Sequence, residues 1–234
     1  MRRSLTKVRA LLVVATVLAA AGCSDDGGSG SDEDPQAQLD AAGERLDSSS
    51  SVRFTVEGDN LPGSGTVVVG AEGVAVPPAS FDGGVRIRAG AIPATIDVVS
   101  IDGQLWAQLP MTDGYEPIDA SDLDFGDPGK LIDPDEGVSL LLRSGTEVTA
   151  ADRIRLDGEV YNQVHSTLPG ELVDTILAIA DPSAAVSATW ALHPDTGELR
   201  QATLTGPFYE GGEQTYTVHL DQYDEPAEIS APTG

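Results

Sequence analysis

Only one cysteine occurs in the 234 residues, at position 23. No disulfide can form within the chain, so whatever follows has to be held together by its core. Cations are scarce too: 13 Lys and Arg stand against 38 Asp and Glu, a formal net charge of −25. Nucleic-acid binding needs a basic footprint, and that composition excludes one. The same balance disfavours adsorption of the body as a whole on anionic lipid headgroups. No apolar run is long enough to cross a bilayer, which takes roughly 20 residues. The longest, Ala10 to Ala21, has twelve. Aromatic residues are 5% of the chain, and no internal repeat divides it.

What is present begins with an address. Arg2, Arg3, Lys7 and Arg9 precede the Ala10–Ala21 run, and Ala20-Ala21-Gly22 stands directly before Cys23. A basic segment, a short apolar segment and a small-residue cleavage site read as a secretory signal over residues 1–22. Arg2-Arg3 leaves both a general secretory and a twin-arginine route open. The small residues before the thiol resemble a bacterial lipobox, with Ala20 standing where that motif usually has Leu. The resemblance implies that Cys23 is alkylated by a diacylglycerol and becomes the new N-terminus. Two or three acyl chains anchor stably where one holds only marginally. Residues 23–34 then form the lipidated Cys and an acidic tether. Its eleven residues after Cys23 reach roughly 18 Å by the ~5–6 Å × √n rule. The expected location is the extracytoplasmic face of the cell membrane. Removing residues 1–22 deletes four cations and no acid, so nine Lys and Arg remain against 38 acids, a net of −29.

Residues 35–232 read as a single domain. Asp34-Pro35 is an N-cap followed by Pro at the first helical position. Leu39, Ala42 and Leu46 at helical spacing predict a helix over roughly 35–47. From Val52 the period becomes two. VRFTV, GTVVV, GVAV, GVRIRA, ATIDVVSI and QLWAQL read as successive strands divided by Gly, Pro and Asp-Gly signals. IDGQLW and LDGEVY place Asp-Gly where a tight hairpin wants positive φ, so neighbours are antiparallel. Helical pattern interrupts twice. In DPDEGVSLLLRSG, Asp133 is the expected cap, Pro134 the first helical residue and Glu136 the capping-box partner. In LPGELVDTILAIADP, the stripe is Leu172, Val173, Ile176, Leu177 and Ala180. Two strands between these helices and three after them, with a short extended tail near Ile229, bring the count to ten or eleven strands and three helices.

A large antiparallel sheet curls through its twist and needs cover on its concave face. Its strands are mostly Val, Ile, Ala, Thr and Gly, and three modest helices have to fill what remains. Two outcomes stay open: an ordinary filled α+β core, or a space that something apolar occupies.

The ordered segments VVSIDGQLWAQL, DPGKLIDPDEGVSLLL and VSATWALHPDTGELRQATLTGPFYEGGEQTYTVHLDQYDEPAEISAP resemble the LppX/LprG-type lipoproteins of actinobacterial envelopes. The resemblance runs over about 35–232. It implies an α+β fold in which a curved antiparallel half-barrel is closed by helices over an apolar cavity. It further implies that the cavity takes the acyl chains of a multi-acylated envelope lipid or glycolipid, carried from the inner membrane outward, in some members together with an efflux transporter. A carrier of this kind needs an apolar site shielded from water, because exposed chains cost about 25 cal/mol per Å². Selectivity then lies in cavity volume and a few polar groups at the mouth. The competing expectation is a non-catalytic adaptor for a transporter or envelope enzyme, with a filled core.

Candidate cavity residues follow from alternation and helix stripes. Val85 and Ile87 share one strand face, with Arg86 and Arg88 on the other. Ile96 and Val98 share one face and Val99 and Ile101 the other, and the first pair is taken because Asp97 then points outward. Leu141, Leu142, Leu172, Ile176 and Leu177 form the helical lid. Trp106 and Trp190 fit either a ligand platform or plain core, and Trp190 is taken as the cavity candidate. Phe208 and Tyr209, in a glycine-flanked loop, fit contact with a membrane or partner. No catalytic set stands out. His165, His193 and His219 are scattered, Ser64 lacks the nucleophile-elbow context, and DPDEG falls short of a calcium loop. No enzyme activity, cofactor or metal site is expected.

Overall fold

The computed structural model describes residues 33–123, 125–177 and 181–232. The expected signal, Cys23, all but the last two residues of the tether, and Ala180 of the second helical stripe lie outside them. Eleven strands form one antiparallel sheet: β1 (Val52–Asp59), β2 (Thr66–Val76), β3 (Ser80–Ala89), β4 (Ile92–Ile101), β5 (Gln104–Gln108), β6 (Glu116–Ile118), β7 (Thr146–Leu156), β8 (Glu159–Pro169), β9 (Ala185–Leu192), β10 (Leu199–Gly206) and β11 (Gln214–Asp221). Their order is β6-β5-β4-β3-β2-β1-β11-β10-β9-β8-β7. Two meanders thus fan out from the central β1–β11 pair, and the sheet stays open between β6 and β7. It is a curved half-barrel of α+β class. Helices α1 (Pro35–Asp47), α2 (Val138–Ser144) and α3 (Gly170–Leu177) complete the fold.

Local chemistry explains most boundaries. Asp34 accepts from the Gln36 N–H at 3.0 Å with Pro35 at the first helical position, so α1 starts where the sequence predicts. Asp102-Gly103 and Asp157-Gly158 both have positive φ at both residues, as the two-residue hairpin turns require.

Two expectations are corrected. GTVVV and GVAV are one strand, β2, with Val69 left over at a bulge between Val68 and Gly70. Gly73, read as a break, pairs with Gly83 across β2–β3. Any Cβ at Gly73 would overlap the Phe81 ring, which stacks on Phe54 with centroids 5.3 Å apart. These glycines make room for an aromatic pair instead of turning the chain. Second, α2 begins at Val138, not after Asp133. The Asp133 carboxylate does accept from the N–H groups of Asp135 (2.8 Å) and Glu136 (3.0 Å), but it caps an isolated turn. Glu136 pairs with Lys130 at 2.6 Å instead of closing a capping box. Gly137 is extended there, packed against the carbonyls of Leu131 and Asp133, and the helix starts only beyond it. The extended tail around Ile229 lies beside β2, β3 and β4.

Candidate functional site

The concave face holds one continuous apolar core. Inside it lies a cavity of about 120 Å³. Its sheet wall comes from Val52, Phe54 and Val56 on β1, Val68, Ala71 and Ala75 on β2, and Phe81 and Val85 on β3. Trp190 on β9, Ala202 and Leu204 on β10, and Tyr216, Val218 and Leu220 on β11 complete it. These positions alternate along each strand, so one pleat face supplies all of them. The cover is Leu46 of α1, Val138 and Leu141 of α2, Leu177 of α3, and Phe125, Pro128, Leu131 and Ile132 from the segment ahead of α2.

That segment is a 3₁₀ turn, Pro128–Ile132, which the sequence reading missed. The Asp127 carboxylate accepts from the Gly129 N–H at 2.8 Å, with Pro128 at the first position. It repeats the Asp-Pro cap of α1, and that signal was available in DPGKLI. The turn packs on β2, β3 and β4. It contributes more of the cover than α3 does.

The walls carry only two polar side-chain atoms, and both are occupied. Trp190 Nε1 donates to Ser166 Oγ at 2.9 Å. The Tyr216 hydroxyl donates to the Val68 carbonyl at 2.7 Å and lies 3.1 Å from the Tyr209 hydroxyl. Burial, then the Tyr209 contact, pushes the Tyr216 hydroxyl far above the ordinary phenol range, so it stays a neutral donor. Among the described residues, a guest in this cavity meets no free side-chain hydrogen-bonding group and no charge. Alkyl chain is the chemistry that fits.

Of the expected cavity residues, Val85, Leu141, Leu177 and Trp190 line the space. Ile96, Val98, Leu142 and Ile176 are buried in the surrounding core, and Ile87 and Leu172 pack against it half-buried. Ile96 lies opposite Val85 and Val98 opposite Gly83, so both share the face of Val85, and neither lines the cavity. Phe208, expected in an exposed loop, is buried edge-to-face against Tyr216 at 5.1 Å, and Tyr209 is half-buried. Among the described residues no cluster of His, Cys, Asp or Glu is arranged to hold a metal ion.

The lining residues are buried at one end, with Val52, Ala75, Phe81 and Leu220 nearly inaccessible. Val56, Ala71 and Val218, which pair laterally across β2-β1-β11, are half-exposed, as are Phe125, Leu131, Val138 and Leu177. Val68 and Tyr216, farther along the same face toward the β1–β2 turn, are buried again, so the half-exposed part of the lining sits mid-sheet under the cover.

A family model described as the LppX_LprAFG lipoprotein matches residues 34–229. The chain belongs to this lipoprotein family. Among curated LppX_LprAFG-like relatives, the lipoarabinomannan carrier protein LprG of Mycobacterium tuberculosis is 24% identical over 98% of this chain and 95% of its own. The LprG of Mycobacterium bovis matches equally. Of solved structures, LprF from Mycobacterium bovis superposes with a TM-score of 0.68 at 14% identity, over 86% of this chain and 97% of that one. LppX from Mycobacterium tuberculosis gives 0.60 at 16% identity, over 86% and 100%. These likenesses establish the half-barrel; at such identities they transfer no site residue.

Proposed function

We propose that this protein is a non-catalytic lipid carrier. It is anchored at the extracytoplasmic face of the cell membrane through Cys23 and holds the acyl chains of an envelope lipid or lipoglycan in its cavity. One observation carries the reading: an apolar cavity lies inside the half-barrel, with every polar wall atom already bonded. The LprG relatives are named lipoarabinomannan carrier proteins, which supports this reading. The lipidated Cys23 and the tether of residues 24–34 would keep the body near the membrane that supplies the lipid.

The cavity volume sets a condition. An engineered apolar cavity of about 150 Å³ accepts benzene, so 120 Å³ takes a short alkyl segment and not two or three whole chains. Loading a multi-acylated lipid then requires the cover to swing out. The cover is built for that. Both α2 and its 3₁₀ turn are short. One ion pair, Arg143 to Asp47, ties α2 to α1, whereas Lys130 to Glu136 closes within the cover itself. Elements with few fastenings are the ones that open locally.

The modest volume is also what favours the adaptor reading, in which the core is filled and an outer face does the work. The two separate in one experiment. The purified full chain is equilibrated with vesicles containing a headgroup-labelled diacyl lipid, then isolated. The carrier takes up label, and Val85→Trp, which projects into the cavity, loses most of it while still folded. Equal label in both proteins, or none in either, supports the adaptor.

A further inference from the structure

Three large apolar side chains stand exposed among the described residues: Ile92 at 71%, Leu109 at 40% and Met111 at 102%. They are not scattered. Ile92 opens β4 and Leu109 follows the end of β5, and these strands are antiparallel neighbours with Asp97 opposite Gln108. Both connections therefore run off the same end of the sheet. The β1–β2 turn lies at this end too, since the Gly90 N–H donates to the Gly65 carbonyl at 2.8 Å.

Each tip breaks a rule of surface turns. From Ala89 to Ala94 the β3–β4 hairpin reads AGAIPA, without one polar side chain. On the next tip the Thr112 N–H donates to the Leu109 carbonyl at 3.1 Å, which closes a turn with Pro110 and Met111 at its centre. Met111 has φ +73°, at the position where such a turn calls for glycine or asparagine. It is the only apolar residue among the seven non-glycine positive-φ residues described. A large apolar side chain is thus kept in a strained conformation and fully in water. Strain of this kind persists where the residue serves a function.

The charge pattern selects the partner. From Gly83 to Ile96 the chain carries Arg86 and Arg88 and no acid, and Gly103 to Thr112 carries no charge, before Asp113. This occurs in a protein with 38 acids. Neither Arg86 nor Arg88 forms an ion pair among the described residues; Arg88 donates to the carbonyls of Pro62 (2.7 Å) and Gly90 (3.1 Å). Two narrow convex tips offer far less than the roughly 800 Å² per partner of a stable protein interface. A bilayer asks for no matching shape, only apolar tips with cations behind them.

We propose that the Ile92 and Leu109–Met111 tips dip into the bilayer surface and hold this end of the half-barrel against it, with Arg86 and Arg88 toward anionic headgroups. The proposal rests on the carrier reading for its purpose, though not for its test. Met111→Cys, labelled with a fluorophore in the full chain with Cys23 acylated, is reconstituted in phosphatidylglycerol–phosphatidylcholine vesicles. Quenching by a lipid spin-labelled near the glycerol is expected, and none for Asp195→Cys in the exposed turn before Gly197. Equal exposure of both sites to water, or attachment of the Met111 site to a protein without lipid quenching, overturns the proposal.

Met111→Gly with Ile92→Ser supplies the functional arm. Glycine suits the turn better than methionine, so the variant folds at least as well. Each buried methylene is worth about fourfold in partitioning, so transfer of bound lipid to vesicles should slow by more than about tenfold at unchanged lipid occupancy. Transfer at the wild-type rate refutes the tips' role. An empty wild-type protein refutes the carrier reading instead, and the quenching result still decides the tips.

Discussion

The Tyr216 hydroxyl on β11 donates to the Val68 carbonyl on β2 at 2.7 Å, although β1 lies between those strands. The ring crosses β1 at Gly58, its register partner, where a Cβ would sit 2.9 Å from the ring edge. On β2 this is where Val69 bulges and the ladder to β1 has ended at Gly70. Tyr209 takes the Val68 N–H at 2.9 Å, so two phenols replace the missing strand partner. Tyr216→Phe leaves that carbonyl buried and unpaired. Denaturant unfolding should show a loss of about 1–3 kcal/mol, with the cavity otherwise intact.

The Phe81 ring occupies the space that a Gly73 side chain would need. Gly73→Ala should therefore destabilise by about 1–3 kcal/mol through overpacking. Adding Phe81→Leu should recover part of that loss despite removing apolar volume. A double-mutant cycle reads the coupling directly; strict additivity would mean that the ring and the glycine are independent.

Asp224 ties the C-terminal segment to α1. It accepts from the Ser50 N–H and from Arg45, both at 2.7 Å, and these partners hold its carboxyl below the ordinary 3.8. A depressed carboxyl stabilises the fold above its ordinary value, and that contribution disappears as pH falls through the depressed one. Asp224→Asn should cost about 0.5–1 kcal/mol at neutral pH, kept small because the group is exposed. The gap to wild type should close below pH 3.8. A gap that persists in acid would assign the effect to packing.

Opening of the cover can be blocked. A Cβ at Gly129, in the 3₁₀ turn, would lie 2.7 Å from Ser100 Oγ on β4. The two positions are therefore adjacent across cover and sheet, although a new Cβ also crowds the Ala79 carbonyl at 3.0 Å. The Ser100→Cys, Gly129→Cys pair, oxidised, should take up little labelled lipid; reduction should restore uptake. Equal uptake in both redox states would place the moving part elsewhere.

Much of this architecture is legible in the sequence because each signal is local. Asp34-Pro35 caps α1, two Asp-Gly pairs turn hairpins, and alternation around Val85 and Ile96 places both on the inner face. The failures share a cause: glycine has two meanings. At Gly103 and Gly158 it turns the chain, whereas at Gly58 and Gly73 it makes room for an aromatic ring from a neighbouring strand. Only the fold tells them apart. The same holds for the cover. The stripes of α2 and α3 point inward, yet the 3₁₀ turn ahead of α2 reaches the cavity with more side chains than α3 does. Phe208, flanked by Gly206 and Gly211, reads as an exposed loop but is drawn into the core by Tyr216.

Native mass spectrometry of the full chain, purified from its own host in mild detergent, puts the cavity to the most direct test. A carrier should appear with one diacyl or multi-acylated lipid bound beyond the mass of the modified Cys23, and Val85→Trp should appear without it. A wild-type protein that is compact, folded and free of bound lipid in every preparation would contradict the carrier reading.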